Sequence, residues 1–402
     1  MGEQALSDLR VLDLTWYIAG PYCTKLLADY GAEVIKVERP GTGDPARRMG
    51  PFLEDEPDHE KSGLFLHLNT NKKGITLNLK SAGGKKILKE LVRDVDVLVE
   101  NFSPGVMTGL GLDYGTLEKI NPGLVMLSIS NFGQTGPYRD FKAAEIVEYA
   151  LGGPMYSTGL PDREPKTLYH NVVQYQAGAC AAVAAMIAVY GSDLRGSGEH
   201  VDISIMETQA GNIDRTPSMR IGYQYTGDIN VRLADTQAFA SGVFPCKDGY
   251  VDVRGGYVWF PKMAAMLDMP ELLEHPRFSN MAEHGKPEVA EEFLTVLLPW
   301  LQERTKQEVW TAAQAQQMLS AAINNSEDLI NDPHYNERGF WVEIDHPAAG
   351  KIKYPGAPFK MMETPWEIRM PAPLLGQHNE EVLGNLGYTR DDLVDLKQQQ
   401  II

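Results

Sequence analysis

The sequence predicts an α/β fold: a large parallel-sheet domain carrying a smaller α+β domain inserted late in the chain. Three observations predict it. Short β-branched runs alternate with helical segments through the first half of the chain, the pattern of strand–helix–strand units that pair in parallel. The pattern changes near residue 220 to paired strands and short helices, and the last stretch resembles the first half again. A length of 402 residues also exceeds what one hydrophobic core usually serves. The expected boundaries are 1–215 for the first part of the large domain, 216–325 for the insert and 326–402 for the return.

Each element follows in order. RVLDLT (10–15) reads as a buried strand. YIAGP is a turn, with Pro21 suited to a first helical position because its missing N–H has no intrahelical partner to lose. YCTKLLADYG is a helix closed by Gly31, and VIKVE (34–38) the next strand. SAGGKKILKELVRD (81–94) is an amphipathic helix, VDVLVEN (95–101) a strand, TLEKINP a short helix and LVMLSIS (124–130) a strand. YHNVVQYQAGACAAVAAMIAVY (169–190) is almost all small or aliphatic from Ala177 onward, which suits a buried helix that lets neighbours come close. GSGEHVDISIMETQAG (196–211) returns a strand and a helix. SGVFPCKDGYVDVRGG (241–256) is a two-stranded piece with a K-D-G turn, and PEVAEEFLTVLLPWLQERT (287–305) a helix. Residues 331–360 return to strands and turns before APLLGQHNEEVLGNLG (372–387).

Composition narrows the function. Hydrophobic residues make up 43% and charged residues 23%, an ordinary globular balance. A net charge of −17 argues against nucleic acid and anionic membranes as partners. It leaves a phosphate-bearing ligand open, since local Lys and Arg decide that. Three widely spaced cysteines fit neither a disulfide framework nor a metal cluster, so a reducing cytoplasm is expected. The start MGEQALSDLR has no apolar signal core, and the run 177–190 is too short to cross a bilayer.

Candidate chemistry is dispersed. The IAGP turn sets backbone N–H groups at a helix start, where an anion can bind. There is no G-x-G-x-x-G, so a dinucleotide fingerprint is missing. VERPGTGDPARR (37–48), NTNKKG (69–74) and NLK (78–80) supply cations that would suit a ligand with several phosphates, although solvated basic loops look the same. The nine histidines show no metal spacing, and no G-x-S-x-G elbow occurs. Glu145 and Glu148 stand three apart, one face of a helix, where paired carboxylates can move protons or simply face water.

Together, several segments resemble one family, the class III CoA-transferases, which also includes 2-methylacyl-CoA racemases. They are LRVLDLTWYIAGPYCTKLLADYGAEVIKVERPGTGD (9–44), NKKGITLNLK (71–80), VDVLVENFSPG (95–105), LSISNFGQTGPY (127–138), FPCKDGYV (244–251), GAPFK (356–360) and PLLGQHNEEVLGNLG (373–387). The resemblance implies a large α/β domain with a small insert, and two protomers threaded like linked rings. It implies a coenzyme A thioester as substrate, with no covalently bound cofactor and no metal. Carried over by position, Ile18 and Ala19 would line the pantetheine entry. Arg39 would approach the adenine. Leu77, Asn78, Leu79 and Lys80 would lie along the nucleotide, Asn101 and Phe102 would stand in the N-F-x-P-G turn, and Lys142 through Glu145 would sit near the thioester.

Two positions depart from the family pattern. The family's nucleophile is an aspartate four residues before the Gly of the Ala-rich helix and nine after a Pro. Counting from Gly178 and from Pro165 both give Gln174. The arginine that the family places four residues after the Gly of N-F-x-P-G is Gly109. A neutral carboxamide cannot run the acyl-anhydride cycle that a carboxylate nucleophile runs. The expected function is therefore a subunit of a heteromeric transferase, interlocked with a homologous aspartate-bearing subunit, moving CoA between an acyl-CoA and a carboxylic acid. Within the family the chain is similar to the aspartate-lacking subunit of succinyl-CoA:benzylsuccinate CoA-transferase, which implies a role in anaerobic toluene breakdown. The alternatives are an active transferase or acyl-CoA isomerase of altered mechanism using Glu145, or a non-catalytic CoA-thioester-binding protein.

Overall fold

Six strands form one sheet in which every neighbouring pair is parallel: β1 (Arg10–Asp13), β2 (Glu33–Glu38), β3 (Lys72–Thr76), β4 (Val97–Glu100), β5 (Val125–Ser130) and β6 (His200–Ser204). Their order is β3-β2-β1-β4-β5-β6, so the chain winds one way from β1 to β3 and the other way from β4 onward. The reversal falls between β1 and β4, and sheets of this kind bind ligands beyond the carboxyl ends of the strands at that point. The computed structural model describes residues 4–211, 216–229, 232 and 239–402.

Both faces of the central strands are covered, which is why β1, β2, β4 and β5 read as mostly apolar runs without alternation. One core takes Val11, Val34, Val97, Val99, Val125 and Leu127 against the helix Ala19–Asp29 and the Ala-rich helix Val172–Arg195. The other takes the intervening residues Leu12, Ile35, Leu98 and Met126 against the helix Ala82–Val92 and the helices Asn379–Asn385 and Arg390–Gln398. Adjacent strand residues point to opposite faces, so neighbours such as Val11 and Leu12 join different cores.

The Ala-rich helix runs for 24 residues, longer than the apolar run that signals it. Among the described residues it is the one helix long and apolar enough to cross a membrane by length and composition. It is instead a core helix: Ala177, Ala181, Ala185 and Ala188 are buried in the sheet's cover. Gly178 is required there, because a Cβ would come within 2.5 Å of the Ala19 carbonyl oxygen. Pro21 is the third residue of its helix rather than the first, still inside the turn whose N–H groups have no partner. Strand β3 is an addition to the expected elements. Its first residue, Lys72, is fully buried and paired with Asp13 at 3.0 Å.

The chain divides into two compact units: Met1–Thr158, Pro165–Asn230 and Gly339–Ile402 form the first, and Gly159–Glu164 with Val231–Arg338 the second. The first also holds an antiparallel pair, Trp341–His346 with Gly350–Pro355. The second has its own core, with Phe239, Phe260, Phe278 and Phe293 clustered beneath an antiparallel sheet of Ser241–Cys246, Gly249–Arg254 and Leu319–Ala322.

Candidate functional site

The segment after β1 is fixed by charges buried beneath it. Burial alone would raise the Asp13 carboxyl, but Lys36 and Lys72, with the hydroxyls of Thr15 and Thr24, overcome it and hold the group well below the usual carboxylate range. Lys36 Nζ then donates to the Thr15 carbonyl at 2.8 Å and pairs with Asp44 at 3.0 Å. Asp44 accepts the Tyr17 N–H at 3.0 Å, which holds Tyr17 at a φ of 65°. Trp16 and Asn101 exchange two hydrogen bonds of 2.8 Å, tying the β1 and β4 ends together. The Phe102 N–H donates to Glu100 Oε2 at 2.8 Å. Burial pushes the Glu100 carboxyl up to about 7, with Asp202 adding to it and the bonds from Ser128 and Phe102 opposing.

These turns wall a cavity of about 940 Å³ at the carboxyl ends of the strands. Trp16 and Tyr17 follow β1, Arg39 and Gly41 follow β2, Leu77 through Lys80 follow β3, and Asn101 and Phe102 follow β4. The Arg39 guanidinium lies 4.9 Å from the Trp16 ring, and Phe102 meets Trp16 edge-on at 5.4 Å. Among the described residues Glu38 is the only acid in the wall, and Arg47 occupies both its oxygens, at 2.7 and 2.8 Å. A smaller concavity of about 230 Å³ shares Asn101, Phe102 and Ser103 and is completed by Ser130, Asn131 and Lys142.

A second polar cluster stands where two helices begin. Gln174 lies in the first turn of the Ala-rich helix, and its Nε2 donates to Glu148 Oε2 at 2.8 Å. Glu145 Oε1 accepts the Val173 N–H at 2.7 Å and so caps that helix. Burial pushes the Glu148 carboxyl up to about 7; the nearby Glu145 adds to the rise, and the bond from Gln174 opposes it. Burial raises Glu145 as well, against the N–H groups of Val173 and Gln174. Glu148 Oε1 and Glu145 Oε2 are buried without a hydrogen-bond partner.

The structure thus gathers Arg39, Leu77, Asn78, Leu79, Lys80, Asn101 and Phe102 in one cavity and sets Lys142 in the adjoining one. Ile18 and Ala19 line neither: they are buried at the start of the helix Ala19–Asp29, and the Ala19 carbonyl faces Gly178. Gln174, Glu145 and Glu148 form their own cluster and line neither of the two concavities. Sequence reasoning missed Lys397, Gln400 and Ile402, which complete the cavity from the far end of the chain. No local pattern marks them. The aromatics Trp16, Tyr17, Tyr22 and Tyr149 part company in the structure. The first two line the cavity, whereas Tyr22 packs on Tyr175 and Tyr149 is buried with its hydroxyl against Thr158.

Residues 6–379 match the profile of a family described as CoA-transferase family III. The chain is 35% identical to succinyl-CoA–D-citramalate CoA-transferase of Chloroflexus aurantiacus, covering 99% of this chain and 98% of that one. It is 30% identical to succinyl-CoA:(R)-benzylsuccinate CoA-transferase subunit BbsE of Thauera aromatica, covering 98% and 97%. Among solved structures it resembles a CAIB/BAIF family protein from Brucella suis, with a TM-score of 0.83, 27% identity and coverage of 96% and 100%.

Proposed function

The chain belongs to CoA-transferase family III, and from that membership we propose that it is the aspartate-lacking subunit of a two-chain CoA-transferase. The family's chemistry moves CoA between an acyl-CoA and a carboxylic acid, with the coenzyme A thioester as substrate rather than bound cofactor. A carboxylate attacks the thioester carbonyl, the acyl–sulfur bond breaks, and CoA leaves as thiolate from an enzyme acyl anhydride. The thiolate then attacks the enzyme carbonyl, which frees the donor acid and leaves an enzyme–CoA thioester. The acceptor acid reverses the two steps.

The observation that carries the proposal is the carboxamide at position 174. Its Nε2 is committed as donor to Glu148, and a neutral amide cannot form the anhydride. The nucleophile then comes from a homologous subunit. A relative whose name makes it a subunit supports that reading, as does an exposed apolar face of the Ala-rich helix, where Val183, Ile187, Tyr190 and Leu194 follow each other at helical spacing. The acids in the names of these two relatives, citramalate and benzylsuccinate, are substituted dicarboxylates. We take succinyl-CoA as donor and a substituted succinate, benzylsuccinate first, as acceptor.

The test is an assay with succinyl-CoA, comparing benzylsuccinate, citramalate, glutarate and oxalate. The purified chain alone is expected to transfer nothing, and coexpression with an aspartate-bearing homologue from the same organism to restore transfer. Preference for another acceptor would remove the substrate assignment alone. Turnover by the lone chain, lost in Glu145→Gln or Glu148→Gln, would favour an altered mechanism. The partnerless buried oxygens of those two carboxyls are the observation on that side.

A further inference from the structure

The cavity wall built by Leu77–Lys80 is not free-standing. The Asn78 N–H donates to the Ile401 carbonyl at 2.7 Å, and its side-chain Nδ2 donates to the Gln400 carbonyl at 3.3 Å. Ile401 is buried in the core under the helix Ala82–Val92. The helix Arg390–Gln398 therefore ends against the β3 loop. Gln400, at a φ of 55°, turns the chain so that Lys397, Gln400 and Ile402 all reach the cavity.

Three cations, Arg39, Lys80 and Lys397, line that cavity. Among the described residues none of the three makes a side-chain ion pair or hydrogen bond, and Arg39 makes only its ring contact with Trp16. All three are exposed and gather on one cavity in a chain of net charge −17. The acid in the wall, Glu38, is already consumed by Arg47. Meanwhile the helix Val106–Leu110 contributes only Val106 and Leu110 to the wall. Gly109 on that helix has open space where a side chain would begin.

We propose that Lys397 is a phosphate-binding residue of the cavity, closing the nucleotide end of a CoA thioester from the far side of the β3 loop together with Lys80. This rests on the reading of the cavity as a CoA site and adds the residue that the N-terminal strands do not supply. Lys397 touches a phosphate oxygen through its ammonium group; Asn78 and Gln400 position it by pinning the wall. It takes no part in the acyl chemistry.

Isothermal titration of the full-length chain tests it, with CoA and with pantetheine, which carries no phosphate. Lys397→Glu is expected to weaken CoA binding by about tenfold to a hundredfold, the range of a charge-assisted contact. It is expected to leave pantetheine binding and the melting temperature unchanged. Lys397→Arg retains most of the CoA affinity, and added salt narrows the gap between the variants. CoA affinity at the unmodified level in Lys397→Glu would overturn the assignment, as would an equal loss for pantetheine, which marks a packing role. An unmodified chain that binds no CoA would overturn the cavity reading itself, a result distinct from either.

Discussion

Glu148 is fully buried, accepts one hydrogen bond from Gln174 at 2.8 Å, and has Glu145 three residues before it. Its carboxyl is raised from an ordinary value of 4.5 to about 7. A raised acid holds its proton more tightly in the folded state. Its neutral form costs the fold nothing below pH 4.5, and the penalty grows as pH rises toward 7 and is then constant. Glu148→Gln removes that ionisation and keeps the shape. Urea unfolding at pH 8 is expected to show the variant more stable by about 1–3 kcal/mol, with the gap closing near pH 4.5. Identical pH profiles for the two proteins would refute the burial argument. The same geometry bears on position 174. Sequence counting singled out Gln174 from two independent anchors, but the partner it holds depends on how two helix starts meet, and no spacing in the chain carries that. An aspartate at 174 would place a third carboxylate beside two whose oxygens already lack partners.

The helix Val106–Leu110 shows how an element reads in sequence and where it stops doing so. It is bracketed by Gly105 and Gly111 at φ values of 84° and 71°, both left-handed, the glycines that close N-F-S-P-G and T-G-L-G in the sequence. Gly109 needs no such freedom, because it is helical and nothing lies within 4 Å of its missing Cβ. Gly109→Ala is therefore expected to stabilise the protein by about 0.5–1 kcal/mol, read as a higher urea midpoint at unchanged slope. A lower midpoint would mean that the open space is used. Strand β3 was illegible for the opposite reason. Lys72, Lys73 and Gly74 look like loop, since a strand buried on both faces is expected to be apolar. Lys72 is buried because Asp13, Asn69 and the Pro21 carbonyl surround its ammonium, a contact set drawn from three separate segments.

Across the whole molecule, the alternation of strands and helices made the parallel sheet legible, because β1, β2, β4 and β5 are buried on both faces and mostly apolar. The strand order was not legible; it follows from which crossovers pack, and with it came the cavity at the reversal between β1 and β4. The same scale governs assembly. Ile187 is 68% exposed on the apolar face of the Ala-rich helix. Ile187→Asp is expected to leave the melting temperature of the isolated chain unchanged and to shift the assembled species to lower mass in light scattering. An unchanged mass would detach that face from assembly. The bond between Asn78 and Ile401 has a further consequence, in time. The two residues are separated by most of the chain, and synthesis proceeds at about 5–20 residues per second. Strands β1 to β4 leave the ribosome on the order of tens of seconds before the segment that completes their cavity. Throughout that interval the nascent chain can lay down its sheet but has no closed pocket for a nucleotide to occupy. The part of the wall that Lys397, Gln400 and Ile402 complete is therefore the last part of this cavity to be made.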